Sequence, residues 1–427
     1  MAVNRNICRM TWLFNKGFKN SSMIMRLILV SLACYFLCGC AAQKKVVTSR
    51  EPVLVNKLQS VLANSSNHYK ILMKATPVGV LPRTFEKGQV QTARPDGWVS
   101  GFFPGTLFYL YQHTKDKTLL NEALLRMNLL EKEQFNKNTH DLGFMMYCSF
   151  GNANRIAPGA AYDSILINSA RSLSSRFNPT VGCIRSWNSE ASHFVVIIDN
   201  MMNLELLMYA FRQTNDSSFY HIAVTHANTT MKNHFRSDYS SYHVVDYNPN
   251  TGAVQEKRTH QGAANESAWA RGQAWGLYGY TMMYRETGDK KYLNQAKHIA
   301  DFILHHPNLP ADKIPYWDFN APGIPNTYRD VSAAAIISSA LLELATYTSG
   351  AAKKEYEDVA AIILNNLCKP PYKSEGNEVG GFLLKHSVGH LPGKSEIDVP
   401  LSYADYYFVE AAMRYLGELK IERTSAH

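Results

Sequence analysis

Cysteine is scarce where it would have to act. Of the seven cysteines in this 427-residue chain, Cys8, Cys34, Cys38 and Cys40 crowd into the N-terminal segment, leaving Cys148, Cys183 and Cys368 far apart. Three isolated cysteines form neither a disulfide framework nor a zinc-ligand pattern. A glycine-rich phosphate loop, a Gly-x-Ser-x-Gly elbow and a His-Glu-x-x-His helix are also missing, which removes several enzyme classes. No dense Lys/Arg stripe occurs after the N-terminal segment, so a nucleic-acid partner is not suggested. Strand signals are sparse. The best, "SYHVVDYNP" and the glycine-rich "EVGGFLLKHSVGH", read as loop hairpins.

Acid is absent from the first 39 residues, which carry Arg5, Arg9, Lys16, Lys19 and Arg26 and then the apolar run "LILVSLACYFLCG". That order is the order of an export signal, and the run is too short to stay as a membrane span. Cleavage would take the formal net charge from +9 to +4, one unit for each of the five bases lost. The basicity is therefore largely a targeting feature. The closing "LCGC" resembles the lipobox of bacterial lipoproteins, in which the last cysteine, here Cys40, is lipidated and becomes the mature N-terminus. An ordinary cleaved signal is the alternative, and Met23 or Met25 would give a more ordinary start. The expected organisation is a signal over 1–39, a tether over 40–50 and one catalytic domain over 51–427. Such a protein sits in the periplasm or at the cell surface and touches the membrane only through its lipid.

What is present is a recurring corner. "HTKDKTLLNEA", "QTNDSSFYHIA" and "ETGDKKYLNQA", with a weaker relative in "YTSGAAKKEYEDVA", each follow an apolar helical run and precede a striped, charged one. The central Asp or Ser suits a helix N-cap after a tight reversal. Helices apolar nearly all round, such as "GQAWGLYGYTMMY" and "VSAAAIISSALLELA", read as inner, and the striped ones as outer. Repeated helical hairpins in two concentric layers describe an all-α toroid. The segment 194–211, "FVVIIDNMMNLELLMYAF", reads as one inner helix that holds Asp199, Asn200 and Asn203 near its start.

Counting back from each corner threonine, Trp98 lies sixteen residues before Thr114, Asp199 fifteen before Thr214, Arg271 sixteen before Thr287 and Asp330 eighteen before Thr348. Each is one helix length, roughly 22 to 27 Å, from its corner. All four are therefore expected on one rim, at the N-termini of inner helices, where free N–H groups and the helix dipole suit an anionic ligand.

"HDLGFMMYC" puts His140 and Asp141 ahead of another apolar run. Asp141 and Asp199 then form a pair of rim carboxylates of the kind acid/base sugar chemistry uses, although each alone would serve as an N-cap. "THQGAANESAWARGQAWGLYG" concentrates His260, Gln261, Trp269, Arg271, Gln273 and Trp275, and the i, i+4 spacing puts the Arg271 guanidinium and the Trp275 indole on one face. Arginine binds carboxylates bidentately and an indole packs on a sugar; an aromatic core segment is the alternative. Trp187 in "RSWN" and His243 in "SYHVVDY" fall in loops, whereas His226 reads as structural.

"DGWVSGFFPG", "HDLGFM", "IIDNMMNLELL", the "THQG" stretch and "HSVGHLPGKSEIDVPLSYADYYFVEAA" resemble, in order, motifs of the unsaturated glucuronyl hydrolases of glycoside hydrolase family 88. The resemblance runs from about Trp98 to Ala412. It implies an (α/α)6 barrel that removes the 4,5-unsaturated uronate from lyase-generated oligosaccharides, glycosaminoglycan products above all, by hydrating the vinyl ether. It implies no metal and no organic cofactor. By the same resemblance Asp199 is the acid/base and Asp141 the second essential carboxylate. Gln261, Arg271, Trp275 and His243 match uronate-binding positions, Trp98 a stacking position, and His140 and Trp187 further contacts. Ser387, His390 and Lys394 lie in a variable loop, as contacts for sulfate or N-acetyl groups on the next sugar. The rhamnogalacturonyl specificity on the same fold, or a non-catalytic carbohydrate-binding lipoprotein, are the competing readings.

Overall fold

The computed structural model describes residues 51–419. The expected signal, the tether and Cys40 lie outside the described residues.

Three of the four expected corners are built alike. Thr114, Thr214 and Thr287 each donate their hydroxyl to the carbonyl four residues back at 2.7 Å, and each accepts the N–H of the aspartate two residues on at 3.2 Å. Asp116, Asp216 and Asp289 then cap the following helix through the backbone N–H two residues further. The residue between, Lys115, Asn215 or Gly288, takes the left-handed conformation that closes the reversal. The fourth corner differs: Ser349 makes no side-chain cap, and Gly350 supplies the positive φ.

These corners pair helices antiparallel. In chain order the helices are α1 (Pro52–Ala75), α2 (Phe102–Thr114), α3 (Lys117–Asn128) and α4, a π-wound stretch Gly143–Gly151 continuing into Asn152–Ile156. Then come α5 (Tyr162–Ser174), α6 (Leu204–Thr214), α7 (Ser217–Asn233) and α8 (Ala270–Thr287). The last are α9 (Lys290–His305), α10 (Val331–Ala345), α11 (Gly350–Leu367) and α12 (Ser402–Leu416). Even-numbered helices form the inner ring, and α12 closes it by packing on both α10 and α2. Helix α8 is buried without a break from Ala270 to Met283, whereas outer α9 buries only Tyr292, Gln295, Ala296, Ile299, Ala300, Ile303 and Leu304, a single stripe. The expected (α/α)6 barrel is the observed fold.

The glycines of "SGFFPG" have a packing reason. A Cβ on Gly101 would come within 2.2 Å of the Phe144 carbonyl, and one on Gly105 within 2.4 Å of that of Cys148, so α2 lies backbone-close to α4. The six inner helices run parallel, which adds their dipoles. Four of them carry an arginine in the last turn: Arg155, Arg212, Arg285 and Arg414. These line a cavity of about 700 Å³ at the corner end, where Arg285 and Arg414 share Glu343.

One expectation fails at the start of α6. Phe194–Ile197 is a strand, β5 in the chain order given below, and Ile198–Asn203 a 3-10 turn, so the helix begins only at Leu204. The cause is local. Val195, Val196 and Ile197 are β-branched and both faces of the strand are buried, Phe194 and Val196 clustering with Val181 and Cys183, Val195 and Ile197 packing with Trp187. Strands β1 (Leu81–Glu86) with β2 (Gln89–Ala93), and β3 (Phe177–Asn178) with β4 (Cys183–Ile184), form hairpins with no clear sequence signal. Strand β5 pairs with β6 (Val244–Tyr247), which pairs with β7 (Val254–Arg258). In the glycine-rich segment only Ser387–His390 is a strand, β8, paired with β9 (Ser395–Val399).

Candidate active site

The inner-helix N-termini bring the expected residues to one rim. Asp330 caps α10 by accepting from Ser332 and Ala333, Arg271 is the second residue of α8, and Trp98 precedes α2. Asp199 reaches the rim on the 3-10 turn that follows β5. The β5–β6 pairing carries His243 to it: Ile198 donates to the His243 carbonyl at 3.0 Å, and His243 Nε2 stands 3.6 Å from Asp199 Oδ2. His243 Nδ1 accepts the N–H groups of His260 and Gln261 at 3.2 and 3.1 Å. Its hydrogen is thereby fixed on Nε2, towards Asp199.

Asp141 sits two residues before the π-wound start of α4, with its backbone N–H on Thr139 Oγ1 at 3.1 Å and its Oδ1 3.3 Å from His140 Nε2. Asn203 ties its helix to the Asp199 turn. Its Oδ1 accepts the Phe144 N–H at 3.1 Å, its Nδ2 donates to Asn200 Oδ1 at 3.3 Å, and Asn200 in turn donates to the Ile184 carbonyl at 3.0 Å. Gly143 permits this approach, since a Cβ there would lie 2.4 Å from the Asn203 Cα.

Both carboxyls are kept from ionising early. Burial pushes Asp199 up to about 7, with the Asp141 charge adding to it and Arg271 and Trp275 opposing. Burial likewise pushes Asp141 up to about 7, against Thr139, Arg176 and Asn203. The histidines move the other way: burial takes His140 down to about 3 and His243 well below its ordinary value, so both are neutral. Near neutral pH the site therefore offers a carboxylic acid beside uncharged imidazoles.

Several buried polar atoms here have no hydrogen-bond partner: His140 Nε2, Asp199 Oδ2, His243 Nε2, Trp275 Nε1 and Tyr403 Oη. Buried polar groups are nearly always paired, so such a cluster marks where a polar ligand would complete them. A cavity of about 240 Å³ lies alongside, with Trp98, Trp187, Gln261, Arg271, His390 and Tyr403 in its wall. Asp141 and Asp199 keep 15% and 13% of their side chains exposed.

The placement refines the sequence reading. Trp98 and Trp187 are half-buried wall residues, and Trp187 meets His260 edge-on at 5.0 Å. Trp275 is fully buried between the rings of Phe144 and Tyr407, beneath the site rather than in the wall. Arg271 is 1% exposed, with Nη1 bound to Asp330 Oδ2 at 3.1 Å and to the Val388 carbonyl, and Nη2 to the Gly389 carbonyl. Gln261 donates to the same Gly389 carbonyl at 2.9 Å, so both side chains anchor the β8–β9 hairpin. His390 joins the wall, its Nε2 2.9 Å from the His260 carbonyl. Ser387 is fully buried at the start of β8 and Lys394 is exposed beyond it; neither lines the cavity. Sequence reasoning did not single out five wall residues, Arg83, Gly389, Ser395, Glu396 and Tyr403. Tyr403 had a signal in "PLSYADYYF"; Arg83 in "VLPRTFE" had none. Among the described residues no group of three or more His, Cys, Asp and Glu side chains is placed to hold a metal ion.

No protein-family model matches the chain. It is 48% identical over 320 residues to an unsaturated glucuronyl hydrolase of Formosa agariphila, covering 74% of this chain and 79% of that one. It is 31% identical over 333 residues to an unsaturated chondroitin disaccharide hydrolase of Streptococcus agalactiae, covering 76% and 82%. Among solved structures, an unsaturated glucuronyl hydrolase specific for heparin superposes with a TM-score of 0.82 at 48% identity, covering 85% of this chain and 97% of that one.

Proposed function

The chain belongs to the unsaturated glucuronyl hydrolases, and from that premise we propose that Asp199 is its catalytic acid and Asp141 the second essential carboxylate. The protein is a glycoside hydrolase that removes the 4,5-unsaturated uronic acid from the non-reducing end of glycosaminoglycan oligosaccharides left by lyases. The observation that carries the residue assignment is the pairing of two carboxyls, each pushed up to about 7, with unpartnered donors around them.

In this reading the Asp199 carboxylic acid protonates C4 of the vinyl ether. Water adds at C5 and returns a proton to the Asp199 carboxylate, which restores the acid. The resulting hemiketal opens to a keto-uronate and the next sugar leaves. The neutral His243 donor and the Trp275 N–H stabilise Asp199 in the interval when it is ionised, and they do so without adding a titrating charge. Asp141, beside a neutral His140, offers an acceptor for a ring hydroxyl. The aromatic wall of Trp98, Trp187 and Tyr403 packs on the sugar faces.

Export and lipid attachment at Cys40 belong to the same proposal, supported by the basic leader and the "LCGC" stretch. The decisive experiment is Asp199→Asn: loss of the unsaturated-uronate absorbance should stop while circular dichroism and melting remain those of a folded barrel. Wild-type turnover by that variant would refute the assignment.

A further inference from the structure

Two guanidinium groups line the cavity, and they differ in what remains of their donors. Arg271 is buried, with Nη1 on Asp330 and the Val388 carbonyl and Nη2 on the Gly389 carbonyl, which leaves it the Nε hydrogen and one Nη2 hydrogen deep in the site. Arg83, on β1, keeps 42% of its side chain exposed. Its Nε donates to Glu396 Oε1 at 2.6 Å and its Nη2 to Oε2 at 2.9 Å, a bidentate pair that occupies one edge of the fork. The other edge, Nη1 with the second Nη2 hydrogen, meets no protein acceptor among the described residues. Glu396 is itself 9% exposed and held under β8, where a Cβ on Gly389 would fall 2.4 Å from its Oε2. The guanidinium plane is therefore fixed before any ligand arrives.

Resting on the reading above, we infer that Arg83 is a specificity determinant that binds a sulfate, O- or N-linked, on the sugar following the uronate. A planar fork with one free edge matches two oxygens of a tetrahedral oxyanion, and an orientation fixed in advance lowers the ordering cost of binding. Depth selects the following sugar over the uronate. The reacting ring must reach Asp199, whose side chain is 13% exposed, whereas Arg83 stands at 42%, towards solvent. Of the three loop residues expected to read this substituent, Ser387 and Lys394 are outside the cavity wall, and His390, which is in it, has its Nε2 2.9 Å from the His260 carbonyl and carries no fixed positive fork. The determinant thus comes from the N-terminal β1–β2 hairpin, clamped to the C-terminal β8–β9 hairpin through Glu396.

The test compares kcat/KM for unsaturated disaccharides with and without a sulfate on the second sugar. Two variants are used: Arg83→Lys keeps the charge but loses the fork, and Arg83→Gln with Glu396→Gln removes both charges together, leaving no buried carboxylate unpaired. Each should lower the sulfated-to-unsulfated ratio by about 10- to 100-fold, mostly through KM. Added salt should lower the wild-type ratio and leave that of the double variant flat. A ratio unchanged in both variants overturns the inference alone, because the wild type is still seen to hydrolyse both substrates. A wild type that hydrolyses neither disaccharide overturns the hydrolase reading and this inference with it.

Discussion

His243 turns towards Asp199 the one ring nitrogen that still has a hydrogen to give, Nε2 at 3.6 Å, while two backbone N–H groups hold Nδ1. An imidazolium would need a second hydrogen on Nδ1, where those two donors already point. His243 is therefore a neutral donor near neutral pH, and under the proposed mechanism the titration that governs turnover belongs to a carboxyl.

The pH profile follows. Under the proposed mechanism Asp199 acts in its protonated form, so kcat should fall as pH rises through about 7. In Asp141→Asn the repulsion that helps raise Asp199 is gone, and the Asp199 carboxyl, followed by isotope-edited infrared titration, should ionise at lower pH. An unmoved titration would show that the two carboxylates do not sense each other.

Stability should respond with the opposite sign from most carboxylates. Asp199 ionises near 7 when folded and near 3.9 when unfolded, so the folded state binds more protons between about pH 4 and 7. Its contribution is whole below that window and is lost as pH rises through it. Asp199→Asn should thus raise the melting temperature at pH 8 and leave it nearly unchanged at pH 4.5.

Removal of Asn203 should separate geometry from binding. Asn203→Leu strips the Phe144 N–H of its acceptor and leaves Asn200 Oδ1 without its donor, costing about 1–3 kcal/mol of stability. Because the two carboxylates then lose their shared brace, kcat should drop tenfold or more with KM changed little. Equal losses of kcat and of folded fraction would reduce Asn203 to a packing role.

Arg271→Lys should behave as a structural lesion. The Asp330 pair is 1% and 0% exposed, and breaking a buried pair costs about 3–5 kcal/mol when one partner is removed. Lysine keeps the charge but cannot hold Asp330, Val388 and Gly389 together, so the β8–β9 hairpin should become protease-sensitive. A rise in KM without added proteolysis would restore the simpler uronate-binding role.

Cys40→Ala should release the protein from membranes and abolish incorporation of labelled palmitate, with turnover per mole retained. Membrane retention of the alanine variant would point to an ordinary signal and some other tether.

The sequence carried the barrel because its corners are local: Thr-x-Asp spacing, a left-handed residue and an N-cap act within six residues, and helix length then sets the rim. Asp199 and Trp98 were placed on the rim for that reason, whereas Asp141 was read from its position just before the apolar run of "HDLGFMMYC". The strand at Phe194–Ile197 was not, because an apolar run buried on both faces looks the same in a helix and in a central strand. Its partner β6 lies some fifty residues away. Arg271 was placed correctly on the rim, but its commitment to Asp330 and the β8 carbonyls depends on contacts made 59 to 118 residues apart. Arg83 stayed invisible for the same reason: Glu396, which makes it part of the site, is 313 residues further on.

The ring closes with its last member. Helix α12 brings Tyr403 to the cavity and seals α10 against α2. A nascent chain that ends before Ser402 holds Asp141 and Asp199 on an open arc, with no opposite wall to confine a sugar and less desolvation to hold their protons. Catalytic competence therefore waits on α12, and a translation product that stops before it would be inert rather than weakly active.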